Sequence, residues 1–461
     1  MKSLIFSLLF ISFSGSLYTQ SFNNNNLKHY SNIADEIITS SLNDTVGYNL
    51  ARYLCKNIGS RLSGSENSLK AIKWAEKTLI DMNPDTVWLQ PVMVPRWIRG
   101  NVEKAVLLNN NLEKTLNVAA LGRSIATPEE GINAGVIEVN SFEELIERKN
   151  EAKGKIVFFN YRFKNSFVET FNGYGDAVKF RVDGPIEASK AGAAAVITRS
   201  ITTKYDNVPH VGTIRTFPDS VKEIPAAAIG LIDAEFLSKS LKENPGLTIN
   251  LKLSARNLKE VLSYNVIAEI KGTEKPDEII VVGSHFDSWD KGEGAHDDGA
   301  PSVQVMEVID IFKRLNIKPK RTIRCVLFIN EENGLRGALK YAEYIDSLKE
   351  NNIAAIESDR GAFTPRGFTV EADSSVISKM QKWIPVLEKS LIDWVKPGHG
   401  GADIGQIKNA KALIGFVPDA QRYFDVHHSD NDVFEEINAR EMELGSAAIA
   451  ILAYLISEEG L

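Results

Sequence analysis

The stretch from His285 to Ala300, HFDSWDKGEGAHDDGA, places two histidines and five acidic residues directly after the apolar run EIIVVGS. Imidazole nitrogens and carboxylate oxygens are ligands of zinc-type metals, and the same groups transfer protons in hydrolysis. More residues of these types follow three other apolar runs, namely Glu331, Glu332, Asp359, His427 and His428. The pattern indicates a metal centre.

Each motif has an ordinary structural explanation when it stands alone. Glu331-Glu332 is typical of a solvated turn, DDGAP of a helix N-terminus that includes Pro301, and HHSDND of a polar loop. Their coincidence after successive apolar runs favours one shared site. Charge favours two metals, because two divalent ions balance three carboxylates and one bridging hydroxide, whereas a single ion leaves clustered carboxylates unpaired.

The segments between the motifs predict the elements that position them. From Asn265 onward, apolar runs rich in Ile and Val alternate with helical patterns, including one expected near Ser378 to Ser390. This alternation predicts an α/β fold with a doubly wound, mostly parallel sheet that is covered on both faces. Such sheets bind their ligands at the carboxyl ends of the strands. Upstream, residues 46–82 predict two helices, with Ser65 as the N-cap of the second.

The chain has 461 residues, which exceeds one ordinary domain. Residues 100–257 show short strands and few helices, and the regular alternation resumes after them. We therefore expect a catalytic domain of residues 21–99 and 258–461, with a smaller α+β domain of residues 100–257 inserted. Residues 1–20 predict a signal peptide, because an apolar run too short for a membrane span follows one lysine and precedes small residues. The expected protein is exported, secreted or periplasmic, without a membrane anchor.

Composition narrows the class of molecule that the protein binds. The chain has 53 basic and 60 acidic residues and a net charge of −7, without a basic cluster, which argues against nucleic acid or an anionic membrane. A small molecule or a peptide is the expected substrate. Cys55 and Cys325 fall in a helical and a strand-like pattern, and both are expected to be buried thiols, although the sequence leaves a disulfide open.

Four motifs together resemble the zinc exopeptidases of the aminopeptidase Y and transferrin receptor superfamily: HFDS with AHDDGA, NEENGLRG, ESDRGAFTPRGF and HHSDND. The insertion, with GPIEASKAGAAAVITRS and IPAAAI, is similar to a protease-associated domain. The resemblance covers nearly the whole chain after the first helix. It implies a zinc exopeptidase domain with two Zn²⁺ per chain that hydrolyses dipeptides or short peptides. It leaves open whether the chain forms a homodimer.

Residue by residue, the resemblance implies that Asp297 bridges the two zinc ions. His285 and Asp359 would bind one ion, and Glu332 and His428 the other. His428 is preferred to its neighbour because the following residues, Ser429-Asp430-Asn431-Asp432, fit the frame of the family.

The resemblance also implies two catalytic roles. Glu331 matches the general base, and Asp287 matches the residue that orients the imidazole of His285. His296 has no family role and is expected on the surface at a helix start. The weaker candidates for substrate contacts are His399, Asp403 and His210.

Two other functions stay open on the same fold. One is a different zinc amidohydrolase or a glutaminyl-cyclase-like acyltransferase, which the number of zinc ions separates from an exopeptidase. The other is a catalytically dead binding protein, against which the complete ligand set and Glu331 argue. The sequence also leaves open which end of a peptide substrate is recognised.

Overall fold

The computed structural model describes residues 24–109 and 112–461, so the predicted signal peptide of residues 1–20 lies outside the described part. The strands are β1 (Thr86–Ile98), β2 (Glu103–Asn109), β3 (Leu112–Leu116), β4 (Val118–Ala120), β5 (Ile132–Val139), β6 (Ile156–Phe159), β7 (Ala195–Arg199), β8 (Ala226–Ile229), β9 (Thr248–Leu253), β10 (Arg256–Ile270), β11 (Lys275–His285), β12 (Arg321–Phe328), β13 (Asn351–Glu357), β14 (Pro365–Ala372), β15 (Trp394–Pro397) and β16 (Ala412–Pro418).

The helices alternate with these strands in the second half of the chain. They are α1 (Asn24–Asn43), α2 (Val46–Tyr53), α3 (Glu66–Asp81), α4 (Phe142–Glu147), α5 (Lys149–Ala152), α6 (Thr170–Val182), α7 (Gly184–Lys190), α8 (Leu231–Glu243), α9 (Ala300–Arg314), α10 (Arg336–Leu348), α11 (Ser374–Gln381), α12 (Ile384–Leu387), α13 (Tyr423–Val426) and α14 (Ala439–Glu459).

The first sheet has the order β1-β10-β12-β11-β13-β16-β14-β15. Its centre, β12-β11-β13-β16, is parallel. On one side β10 pairs antiparallel with both β12 and β1, and on the other β14 pairs antiparallel with β16 and parallel with β15. Alternate residues of β11 belong to the two apolar cores on opposite faces of the sheet. Ile280 and Val282 pack with α9 and α14, while Ile279 and Val281 pack with α10 on the opposite face. The predicted α/β class with both faces covered is confirmed, with antiparallel strands toward both edges.

The second sheet has the order β3-β2-β9-β5-β6-β7-β8-β4 and its own apolar core. All of its strands lie within residues 103–253, which we call the second-sheet unit. The chain leaves the first sheet at the end of β1 and returns at the start of β10, where Ile98 pairs with Arg256. Exit and return are therefore adjacent, so the second-sheet unit interrupts the first sheet without disturbing its order.

Several local predictions can be compared with the structure. Ser65 caps α3, because its hydroxyl accepts a hydrogen bond from the backbone N–H of Ser68 at 3.1 Å. Cys55 and Cys325 are buried free thiols, as expected. The continuous helix expected near Ser378 to Ser390 is wrong. The chain there forms α11, α12 and a single 3₁₀ turn, because Pro385 at the start of α12 lacks the N–H that a continuous helix needs.

No helix within residues 24–109 and 112–461 is both long and apolar enough to cross a bilayer.

Candidate metal centre

The predicted ligands lie at one edge of the first sheet. His285 is the last residue of β11, Glu332 follows β12, and Asp359 follows β13. These strands are parallel neighbours, so their carboxyl ends meet at the same edge. Asp297 lies in the turn before α9, and His428 lies in the loop after α13. We call these five residues the metal cluster.

The metal cluster is centred on Asp297. Nε2 of His285 lies 3.2 Å from Oδ1 of Asp297 and 3.3 Å from Oδ1 of Asp359. Nε2 of His428 lies 3.1 Å from Oδ2 of Asp297 and 3.1 Å from Oε2 of Glu332. Each imidazole therefore faces one carboxylate that the other does not, namely Asp359 for His285 and Glu332 for His428. Both imidazoles also face Asp297, His285 through Oδ1 and His428 through Oδ2.

Backbone carbonyls fix the orientation of both imidazoles. Nδ1 of His285 lies 3.0 Å from the carbonyl oxygen of Asp287, and Nδ1 of His428 lies 3.2 Å from that of Val211. A carbonyl oxygen only accepts hydrogen bonds, so both Nδ1 atoms carry their hydrogen and both Nε2 atoms face the carboxylates. The second contact is notable because Val211 belongs to the second-sheet unit.

The donor set fits a divalent metal. Two imidazole nitrogens and three carboxylates converge, and Oδ2 of Asp297 is buried without a hydrogen-bond partner although Nε2 of His428 faces it. Lone pairs that face each other at such distances need a proton or a cation between them. Nitrogen and carboxylate oxygen are the ligands that zinc prefers in catalytic sites, so the residues present fit this metal.

The electric field of the site also favours positive charge. Burial by itself would lower the pKa of His428, but the carboxylates of Glu332 and Asp297 raise it well above its usual value. Burial would raise the pKa of Asp297, yet the neighbouring imidazoles hold it well below its usual value. Burial and the charge of Asp297 raise the pKa of Glu332 to about 7. A bound cation compensates the same negative charges.

Asp287 contacts the site in two ways. Its carbonyl oxygen, not its carboxylate, accepts the hydrogen bond from His285. Its carboxylate instead accepts hydrogen bonds from the backbone N–H groups of Asn330 at 2.7 Å and Glu331 at 3.1 Å. The side chain therefore holds the turn that carries Glu331, a contact that the sequence motif did not reveal.

His296 is buried, so its predicted surface position is wrong. Its ring stacks on Phe363 with 4.2 Å between the ring centroids, and burial lowers its pKa to about 4. Its backbone N–H donates to Asp432, whose carboxylate also accepts from the backbone N–H of Asp297 at 3.1 Å. Local sequence could not show this, because the segment that covers His296 lies more than 60 residues away along the chain.

His427 lies beside the metal cluster. Its ring stacks on His428 with 3.6 Å between the centroids, and its Nε2 lies 3.7 Å from Oδ2 of Asp297. His428 is nearer to that oxygen and also faces Glu332. Burial and the charge of His428 lower the pKa of His427 well below its usual value.

A cavity of about 540 Å³ opens beside the metal cluster. It is lined by all five of its members, by Glu331, and by side chains of the second-sheet unit that include Phe171, Tyr174 and Arg181. Sequence reasoning missed these residues of the second-sheet unit, because they carry no motif and reach the site only through the fold.

The three weaker candidates for substrate contacts are not among the residues that line this cavity. His210 is buried, and its Nδ1 lies 2.7 Å from the carbonyl oxygen of His427. Asp403 is buried and neither carboxylate oxygen has a hydrogen-bond partner. His399 is exposed, and its carbonyl oxygen accepts a hydrogen bond from Thr369. The structure therefore brings none of them together with the cavity.

Comparison with known proteins shows that the model of peptidase family M28 matches residues 265–452, which carry the metal cluster. The chain is therefore a zinc metallopeptidase. Over most of its length the chain is similar to carboxypeptidase Q of several vertebrates. The chain therefore belongs to peptidase family M28, as a homologue of carboxypeptidase Q.

The similarity extends over both sheets. Carboxypeptidase Q of Xenopus laevis is 36% identical over 440 residues, which cover 94% of this chain and 91% of that protein. The human protein is 35% identical over 412 residues, covering 89% and 85%. The crystal structure of a peptidase M28 precursor from Shewanella amazonensis is 32% identical, covers 94% of this chain and 97% of its own, and has a TM-score of 0.88. The zinc aminopeptidase BSAP from Bacillus subtilis, at 18% identity and a TM-score of 0.62, covers 89% and 94% and shares the fold.

Proposed function

We propose that the protein is an exported exopeptidase that hydrolyses dipeptides or short peptides with two zinc ions held by the metal cluster. The observation that carries the proposal is the position of Asp297, whose two carboxylate oxygens face two separate imidazoles. His285 and Asp359 would hold one ion, and His428 and Glu332 the other, with Asp297 shared between them.

Charge supports two ions over one. Three carboxylates of the metal cluster are gathered around two imidazoles, and a single divalent ion leaves part of this negative charge uncompensated in a buried site. When bound, zinc lowers the pKa of water and polarises a peptide carbonyl, which an unreactive amide requires.

Glu331 is the proposed general base. It lines the cavity, while the next residue, Glu332, turns toward His428. The carboxylate of Asp287 accepts a hydrogen bond from the backbone N–H of Glu331. This contact fixes the turn that carries the Glu331 side chain. Glu331 takes a proton from the attacking water and passes it to the leaving amine nitrogen.

The contribution of the second-sheet unit to the cavity favours short substrates. Phe171, Tyr174 and Arg181 come from α6 and line the cavity together with the metal cluster. A cavity of about 540 Å³ is in the size range of small-molecule sites, and an extended protein segment needs an open groove. We propose that residues 100–257 form the inserted protease-associated domain and limit the length of the substrate.

Export follows from the predicted signal peptide of residues 1–20, whose apolar run is flanked by one lysine and by small residues. The mature protein would then act outside the cytoplasm. N-terminal sequencing of protein recovered from the medium or periplasm tests this, because a cleaved signal peptide moves the first residue found beyond Met1.

The function is tested with purified protein and a panel of dipeptides, each supplied free, amino-blocked and carboxyl-blocked. We expect cleavage of free dipeptides, loss of cleavage after chelation, and recovery with zinc. Metal analysis of the active protein should give two zinc ions per chain.

Three results would contradict the proposal. Cleavage that survives complete removal of metal would exclude the metal centre. One zinc per chain, with cyclisation of amino-terminal glutamine instead of hydrolysis, would favour the glutaminyl-cyclase-like alternative. A metal-loaded protein that cleaves no peptide or amide would favour a binding protein.

A further inference from the structure

The two halves of the metal cluster are held by different parts of the molecule. His285 ends β11 and Asp359 follows β13, so both belong to the first sheet. The carbonyl oxygen at Nδ1 of His285 is that of Asp287, two residues further along the same segment. His428 lies instead in the loop after α13, and the carbonyl oxygen at its Nδ1 comes from Val211 of the second-sheet unit. The orientation of His428 therefore depends on a contact between the two units.

The backbone of His428 also needs support from its surroundings. Its φ angle is +60°, in the left-handed region that residues other than glycine rarely adopt. Such a conformation persists where neighbouring contacts hold it in place. Contacts that fix this backbone therefore also fix the direction in which the imidazole points.

Two consecutive residues of the second-sheet unit supply these contacts. Nδ1 of His210 donates a hydrogen bond at 2.7 Å to the carbonyl oxygen of His427, in the peptide group that precedes His428. The backbone N–H of Val211 donates to the carbonyl oxygen of His428 at 2.9 Å, and the carbonyl oxygen of Val211 contacts the imidazole at 3.2 Å. His428 is thus held on both sides of its Cα atom and at its ring.

His210 is well placed to give this support. Its side chain is buried, and its backbone N–H donates to the hydroxyl of Ser200 at 2.8 Å. Burial lowers its pKa to about 4, so the imidazole is neutral at pH 7 and has a single N–H donor. That donor is used for the carbonyl oxygen of His427. His210 was a candidate for a substrate contact, but the structure places it one residue away from a metal ligand.

Other side chains join the same two segments. The hydroxyl of Thr202 donates to the carbonyl oxygen of Phe424 at 2.7 Å, and the amide of Asn431 donates to the carboxylate of Asp206 at 2.9 Å. The second-sheet unit therefore contacts the loop both before and after His428, which keeps the distance between the two segments fixed.

We propose that His210 is a positioning residue for the metal ligand His428, so that the second-sheet unit sets the affinity of one zinc position, that of His428 and Glu332. The other position, that of His285 and Asp359, does not depend on it. This inference rests on the proposed two-zinc site and extends it, because the unit that lines the cavity then also controls metal loading.

Two variants that each keep one zinc position make the test specific. Asp359→Asn leaves the position of His428 and Glu332. Glu332→Gln leaves the position of His285 and Asp359. His210→Leu is combined with each of them, because leucine removes the donor and fills the buried space.

Competition titration of the metal-free proteins with zinc and a chromophoric chelator gives the zinc dissociation constant without turnover. We expect His210→Leu to weaken zinc binding about 10-fold in the Asp359→Asn protein, as for loss of a group that orients a ligand. In the Glu332→Gln protein zinc binding should be unchanged.

Two further variants separate positioning from a general effect on the fold. His210→Asn keeps an N–H donor close to the place of Nδ1 and should restore zinc binding. Ser238→Ala removes a buried hydrogen bond to Glu138 within the second-sheet unit. Neither of these two residues lines the catalytic cavity, so this matched control should leave zinc binding unchanged.

Unchanged zinc binding by His210→Leu in the Asp359→Asn protein would overturn the proposal. So would equal weakening in both proteins, or a loss that His210→Asn does not restore, because His210 would then act only on the fold as a whole. If His210→Leu does not fold, His210→Gln moves the donor away from the carbonyl oxygen of His427 and should show the same selective loss.

Failure of the proposed function gives a different result. A zinc-loaded wild type that cleaves no peptide contradicts the peptidase, and the zinc titrations still decide the role of His210. A wild type that binds a single zinc ion contradicts the two-zinc site. In that case weaker binding of this ion by His210→Leu, restored by His210→Asn, supports the positioning role, and equal binding overturns it.

Discussion

In the part of the chain that the structure describes, carboxylates lie close enough together to surround an ion in two regions, with different surroundings. The metal cluster combines three carboxylates with two imidazoles beside a cavity. The second region, which we call the acid cluster, consists of Asp44, Glu307 and Glu443 near α2, α9 and α14, again close enough together to surround an ion. The acid cluster contains no imidazole, and its residues do not line the catalytic cavity.

The difference lies in how the negative charge is compensated. In the acid cluster, internal donors serve the carboxylates: the hydroxyl of Ser446 donates to Glu307, the backbone N–H of Tyr48 donates to Glu443, and Arg314 pairs with Asp44. Burial and the charge of Glu443 raise the pKa of Glu307 well above its usual value, which favours the protonated form of this group.

In the metal cluster, carbonyl oxygens occupy Nδ1 of both imidazoles and leave Nε2 facing the carboxylates. Buried acid alone therefore does not mark a catalytic metal centre. The distinguishing features are imidazoles whose Nδ1 atoms are held by backbone carbonyl oxygens, and an adjacent cavity large enough for a small ligand.

The strongest test of this contrast is Asp297→Asn, because Asp297 faces both imidazoles. We expect zinc content to fall below two per chain and peptide hydrolysis to fall by several orders of magnitude. Metal analysis and a dipeptide assay measure both. Asp44→Asn, the corresponding change in the acid cluster, should leave zinc and activity intact. Two zinc ions retained by Asp297→Asn would refute the shared carboxylate.

Glu331→Gln separates catalysis from metal binding. Loss of a general base lowers kcat by about 10²- to 10⁴-fold, whereas the metal cluster stays intact and zinc content should remain at two per chain. The control is Glu343→Gln on the exposed face of α10. Turnover of Glu331→Gln at the wild-type rate would remove Glu331 from the mechanism.

Metal removal should affect only one of the two regions. If zinc binds the folded metal cluster as proposed, chelation should lower the melting temperature, with a loss of about 2.7 kcal/mol for each ion that had been present at 100 times its dissociation constant. Zinc should restore stability and activity together. Calcium added to the chelated protein should change neither, because its raised pKa favours the protonated form of Glu307 and Arg314 already pairs with Asp44. A melting temperature raised by calcium in the wild type, but not in Glu307→Gln, would show that the acid cluster binds a cation.

The smallest expected effect is that of Glu307→Gln on stability. The pKa of Glu307 is raised in the folded state, so its stabilising contribution is complete below its unfolded pKa and is lost as pH rises through the folded value. A neutral amide removes this loss. Urea unfolding should therefore show the variant gaining on the wild type toward alkaline pH, by an amount on the order of 1 kcal/mol, with hydrolysis unchanged.

Glu388→Gln, an exposed change, is the control for that series and should leave the pH dependence of unfolding as in the wild type. If the difference between Glu307→Gln and the wild type is the same at every pH, then Glu307 does not hold its proton at neutral pH.

Much of the site could be predicted from the sequence. Apolar runs that alternate with helical patterns predicted the strand ends, and parallel strands bring their carboxyl ends to one edge. This is why His285, Glu332 and Asp359 converge although more than 70 residues separate the first from the last. The helix break at Pro385 also had a local signal, namely the proline itself.

The sequence by itself determined the family and the α/β class and predicted the types of ligand, because these depend on short-range patterns and on chemistry that only certain side chains can perform. Tertiary structure alone decided that His296 is buried, that the carboxylate of Asp287 supports the Glu331 turn, and that Val211 of the second-sheet unit contacts His428 while Arg181 lines the same cavity. These contacts join segments far apart in the chain, and burial and hydrogen-bond partners of that kind arise only when packing brings the segments together.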